Sequence, residues 1–208
     1  MRLTYNKEKF MNITTILSNE HRVIEVVLLC LGKVVDEAKR LKKLNKKSAE
    51  TAIDIIKTFA DKCHHGKEEN HLFAKMINKG MSSEFGPVGQ MLSEHRQGRE
   101  YVRGMSENLD SASNGDMEAI NLFAENALGY VQLLQAHIHK EDTILFPMAD
   151  KMLNEEEQKN LLNEFHHVES DHMGDGTHEA YLDKVKKLAE QYHVEFSLAI
   201  PTSCGCNH

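Results

Sequence analysis

The stretch His137–Pro147, "HIHKEDTILFP", repeats a word already written at His64–Phe73, "HHGKEENHLF". Both read His-x-x-Lys-Glu-acid-x-x-Leu-Phe. Each lies in an apolar segment with helical spacing, where histidine and glutamate cost desolvation energy unless they find partners. The repetition extends outward, because "EHR" stands at Glu20–Arg22 and again at Glu94–Arg96. The chain therefore reads as two helical hairpins of one design, each Glu-His-Arg followed by His-x-x-Lys-Glu. A pseudo-twofold axis between them suggests a pair of metal ions.

The surrounding periodicity supports helices throughout. Leu17, His21, Ile24, Leu28, Leu31 and Val35 form one stripe, on a helix expected from Asn12 to about Leu44. A second helix is expected from Ser48, an N-cap residue type, to Asn78, with Gly80 as its stop. Its inner face carries Ile56, Ala60, His64, Glu68 and Leu72. The third starts near Pro87 and carries Val88, Met91, His95, Gly98, Val102, Met105 and Leu109. "DSASNGD", Asp110–Asp116, reads as a loop. The fourth runs from about Asp116 to the Pro147 region, with Ile120, Phe123, Ala127, Tyr130, Leu134, His137, Glu141 and Ile144 on its stripe. No segment carries a strand signal. The fold expected is all-α: an up-down-up-down four-helix bundle over residues 1–150, with a helical extension over 151–208 packing on it. Asn154-x-x-Glu157 marks the extension's first helix start.

Each stripe is interrupted by one histidine: His21, His64, His95 and His137. Glu68 and Glu141 follow two of them at i+4, on the same helix face. Counted along the helices at ~1.5 Å per residue, all six groups fall within one or two turns of a common level. One buried histidine is ordinarily a satisfied core residue. Six convergent groups are not, since an unpaired buried carboxylate costs several kcal/mol against a total stability of about 5–15 kcal/mol. Bound cations remove that cost. Nitrogen and oxygen ligands with paired carboxylates suit two first-row ions, chiefly iron or manganese, rather than a structural zinc. With both carboxylates and an oxo or hydroxo group bridging, about two positions stay open to exogenous ligands.

Composition narrows the alternatives. The chain has 208 residues and a net charge of −7, so wholesale nucleic-acid binding is not expected. The basic run "KRLKKLNKK", Lys39–Lys47, reads as a solvated turn. No apolar run reaches a membrane span's length, and the N-terminal stretch has no secretory h-region. Cys30, Cys63, Cys204 and Cys206 do not form a disulfide framework, so a cytoplasmic location is expected.

The two repeated words, Glu20-His21 and "SEHRQGRE" together resemble the hemerythrin-like HHE cation-binding domain, over about residues 12–150. That resemblance implies a four-helix bundle holding a non-haem di-iron centre. Its members bind dioxygen, sense oxygen or iron, handle nitric oxide or peroxide, or supply iron to damaged iron–sulfur clusters. Carried over by motif, the ligands are His21, His64, Glu68, His95, His137 and Glu141. His65 with Glu69 is a shifted alternative pair, and Asp142 is the alternative to Glu141. Oxygen carriers have His-x-x-x-His in helix three, whereas this chain has Arg99 four residues after His95. The missing imidazole shifts the expectation from reversible oxygen carriage toward di-iron repair proteins. A tail carboxylate, Glu169 for choice, is the candidate replacement, against the plain reading of a solvated helix face. Glu20 and Glu94 are candidates for orienting neighbouring ligands. Gly98 leaves space beside the site. Tyr130 reads as core. "CGCNH", Cys204–His208, is read as a free terminus, with soft-metal binding or dithiol cycling as the alternative.

The leading functional expectation is a di-iron protein that binds or reduces dioxygen, peroxide or nitric oxide, with room for a redox partner. The other expectations are an iron donor or sensor in cluster repair, oxygen storage, or a metal-free helical module.

Overall fold

The computed structural model describes residues 12–173 and 177–196, apart from the side chains of 169–173, 177 and 178. Glu169 and the CGC segment, on which two of the expectations above rest, lie outside the described residues. Those described are helical almost throughout, and none is in a strand. Helix α1 spans Ile13–Leu41 and ends with Lys42 in the left-handed region (φ 54°) after Lys39 and Arg40, cations that suit a helix C-terminus. Helix α2 (Lys46–Ile55) begins earlier than Ser48, because the Asn45 side chain accepts from the Ser48 backbone N–H. Ser48 is thus a first-turn residue, and its hydroxyl accepts from Gln191 instead.

From α2 the helix continues without a break through two π-helical segments, Ile56–His65 and Glu68–Phe73, into α3 (Ala74–Asn78). Helix α4 (Gly86–Ser113) has Pro87 in its first turn and extends into the expected loop. Asp116 caps α5 (Met117–Lys140) by accepting from the N–H groups of Glu118 and Ala119. A third π-helical segment, Glu141–Leu145, leads into α6 (Phe146–Met152). Asn154 and Glu157 form the reciprocal capping box of α7 (Glu155–Met173), each side chain accepting from the other's backbone N–H at 2.9 Å. Helix α8 (Thr177–Gln191) follows and lies against α1 and α2.

The π turns fall on the two repeated words, and the spacing explains why. Ala60, His64, Glu68 and Leu72 are four apart, as are His137, Glu141 and Leu145. Steps of four overshoot an α-turn of 3.6 residues and fall short of the wider π turn. Mixing the two keeps all of them facing inward. The expected stripe is corrected at its end for this reason: Ile144 is 50% exposed, whereas Leu145 is buried.

Two apolar clusters fill the bundle. One contains Ile24, Leu28, Phe59, Val102, Phe123 and Leu134, and α8 adds Val185 and Leu188. The other contains Ile13, Leu17, Phe73, Met91, Leu145 and Phe146, closed over by Leu161 and Phe165 of α7. Each such buried side chain contributes about 1.5–3 kcal/mol. Along every stripe the histidine falls where one cluster ends and the other begins. No helix among the described residues is long and apolar enough to cross a membrane.

Candidate metal centre

Between the two apolar clusters lies a polar layer that is almost completely buried. It contains His21, His64, Glu68, His95, His137 and Glu141, the six groups expected, together with His65. Their ligand-type atoms form two overlapping groups: His65, Glu68, His95 and His137; and His21, His64, Glu68 and Glu141. Within each, the atoms lie within 4.8 Å of one another. Glu68 is common to both, its oxygens 3.6 Å from His64 Nε2 and 3.5 Å from His95 Nε2. Glu141 Oε2 lies 3.1 Å from His21 Nε2 and 3.3 Å from His137 Nε2. Both carboxylates thus span the two halves of the layer.

Five carboxylates stand behind the five imidazoles. The Nδ1 atoms of His21, His64, His95 and His137 face Asp142, Glu20, Glu69 and Glu94 at 2.9, 2.9, 2.7 and 2.9 Å. Asp61 lies 3.4 Å from His65 Nδ1. A carboxylate there holds a proton on Nδ1 and leaves the Nε2 lone pair turned inward, which is how ligating histidines are oriented. The repeated word now has a physical reading. Its lysine donates to the acid that orients the histidine: Lys67 to Glu20 at 2.5 Å, and Lys140 to Glu94. The acid after its glutamate crosses to the other hairpin: Glu69 serves His95, and Asp142 serves His21. Arg22 and Ser18 both donate to Asp142.

Three expectations change. Glu69 and Asp142 face Nδ1 atoms on the outside of the layer, so neither takes a place in its centre. His65 does, and it enters without Glu69, because the widened turn lets adjacent residues both face inward. Its ring stacks on that of His95 with 3.8 Å between centroids. A fifth imidazole therefore joins the layer, from the half of the chain that does not carry Arg99. Arg99 itself donates to Asp61 and Glu69. Adjacent histidines in a segment spaced by fours were the available signal for His65.

Charge in the layer is unbalanced without a cation. Glu68 lies well above the ordinary carboxylate value because burial and the Glu141 charge both penalise ionisation. Glu141 is held low, as His137 and His21 outweigh its burial. Burial lowers His64 to about 4. His137 is raised to about 9 because Glu141 and Glu94 outweigh its burial. Burial alone would raise Glu20 and Glu94, yet Lys67 and His64 hold Glu20 far down, and His137 and Lys140 hold Glu94 at about 2. Glu20 and Glu94 are thus ionised behind His64 and His137. Meanwhile His21 Nε2, His65 Nε2 and all four oxygens of Glu68 and Glu141 are buried with no hydrogen-bond partner in the protein. Such orphaned atoms at one point, nitrogen and carboxylate oxygen without thiolate, fit divalent or trivalent first-row cations.

A cavity of about 360 Å³ reaches the layer at His65 and His95. It passes between α4 and the first π-helical segment, walled by Ile56, Gly98, Val102 and Tyr130. Gly98 thus borders open space beside His95, as its position suggested. Tyr130 is buried in the core and also forms part of this wall.

A buried layer of paired histidines and glutamates across helices defines a helical cation-binding protein. The chain belongs to the hemerythrin HHE cation-binding domain family, whose model matches residues 12–149. Similar chains are an uncharacterised protein of Mycobacterium tuberculosis, in strains H37Rv and CDC 1551, and its counterpart in Mycobacterium bovis. Each is 22% identical over 172 residues, covering 83% of this chain and 67% of the relative. No solved structure matches at a significant level.

Proposed function

We propose that this chain is a non-haem di-iron protein that binds or reduces small oxidants, namely dioxygen, peroxide or nitric oxide. The observation that carries the reading is Glu68: a fully buried carboxylate shared by two ligand groups, with neither oxygen partnered in the protein. His21, His64, Glu68 and Glu141 would hold one ion. His65, His95 and His137 would hold the other, with Glu68 and Glu141 spanning the pair. The helices carrying these residues are read as the up-down-up-down bundle of residues 1–150. A bound iron pair would supply electrons and an open coordination position for an oxidant. The protein's own residues do the rest. Four well-placed carboxylates fix the imidazoles, the two apolar clusters exclude bulk water, and the cavity beside His65 admits the ligand. Burial of all seven described residues of the layer favours retained iron over donation to a client. The reading implies a cytoplasmic protein, in keeping with Cys30 as a buried free thiol.

The test is metal analysis of anaerobically purified protein, followed by optical spectra under air, nitric oxide and peroxide. Two irons per chain and oxidant-dependent charge-transfer bands are expected. One tightly held zinc, with no capacity for iron, would overturn the reading.

A further inference from the structure

The cavity beside His65 and His95 is far larger than a diatomic molecule or peroxide requires. Its volume of about 360 Å³ compares with the ~30 Å³ share of one water in the liquid. It falls in the range of sites that hold organic ligands. Its walls are largely apolar, through Ile56, Val102 and Tyr130. Its charged lining consists of three cations, Lys57, Arg99 and Arg103, and two acids, Asp61 and Glu107. Both acids are engaged by guanidinium groups: Asp61 by Arg99, and Glu107 by Arg103 at 3.7 Å. The Arg99 fork is itself filled by Asp61 and Glu69. Lys57 differs, since its ammonium donates to the Ser106 hydroxyl at 3.0 Å and is in no ion pair among the described residues. Among the described residues, the cavity therefore presents one cation held by no carboxylate, an apolar body, and an inner end at the imidazoles; the Ser106 hydroxyl is occupied in donating to the Val102 carbonyl at 2.8 Å.

We propose that this cavity binds an organic monocarboxylate with an aliphatic body of medium length. The carboxylate lies at Lys57, and the chain lies on Ile56, Val102 and Tyr130. The far end is presented to His65 and His95. A single ammonium suits a monoanion; a phosphate would call for a free guanidinium fork or several cations. The inference deepens the functional reading and rests on it for the inner end, where the aliphatic chain would border the position at which that reading places the oxidant. The binding itself does not depend on iron identity.

Octanoate titrated calorimetrically into the full-length, metal-loaded protein tests it, with 1-octanol and acetate as controls and iron measured on the same samples. Octanoate should saturate one site per chain. Lys57→Gln should weaken it about fivefold and leave 1-octanol unchanged. Gly98→Leu should abolish it, because a Cβ at Gly98 meets only ordinary contacts, 3.5 Å from Tyr130 and 3.7 Å from Leu134, and a longer side chain extends into the space. The inference is overturned by any of three results: no saturable octanoate binding, octanoate binding unaffected by Gly98→Leu, or displacement of octanoate by equimolar acetate, which would place the carboxylate at the metals. If the samples hold no iron pair, the functional reading fails, and the titration still decides the cavity.

Discussion

His65 is the residue on which the centre's composition turns. The first repeated word places it beside His64, and the second places Ile138 there, so the two halves of the layer are not equivalent. His65→Phe, which keeps a ring of similar footprint, should weaken one of two bound irons while the other remains, read as a fall from two toward one iron per chain on dialysis. Retention of both at full affinity would remove His65 from the ligand set. Glu68→Gln should be more severe, because Glu68 is shared, and both ions should be lost. The orienting acids lie between these extremes. Asp142→Asn and Glu69→Gln keep their size but no longer hold a ring proton by charge, and each should cost about 10–100-fold in metal affinity. Equal affinity to the unsubstituted protein would show that the ring orientation is set by packing alone.

The three π-helical segments decide which side chains the elements present. Leu145→Ala removes a buried side chain and should destabilise the protein by about 2–5 kcal/mol, whereas Ile144→Asn lies on the solvent side and should stay within about 0.5 kcal/mol. Thermal unfolding of the two variants reads the register directly, and the opposite order would restore a plain α-helix there. Much of this architecture was legible in the sequence. The four stripes, the common depth of His21, His64, His95 and His137, the helix starts near Asp116 and Asn154, and Glu20 and Glu94 as candidate orienting acids all follow from spacing and residue type. Three features did not follow. A 3.6-residue period was assumed through the words themselves, which turned Ile144 inward and His65 outward. Glu69 and Asp142 were weighed as ligands because ligands and their orienting acids are the same residue types, and only distance separates them. Arg99 was read as an absence, although it ties Asp61 on the first π segment to Glu69 on the next.

At the scale of the whole molecule, the layer couples cation binding to protons and to stability. In the metal-free chain His21, His137 and Glu68 all titrate above their ordinary values. The protonated forms are therefore favoured in the folded, unloaded chain, and they must lose protons before ligating. Loading at pH 7 should release at least about one proton per chain, and affinity should fall as pH falls toward 5. A weakly buffered titration with an indicator dye measures this, and proton uptake would contradict the sign. Chelation should lower the unfolding temperature, since the cations bind only the folded arrangement. The crossing of Glu69 to His95 and of Asp142 to His21 has a further consequence. Each hairpin carries the acid that positions the other's ring, so neither can finish its own site. Split between Ser113 and Asp116 and produced as two separate peptides, the halves should hold iron only when mixed. That mutual dependence is a form of proofreading, in which metal is captured only after the halves have closed correctly.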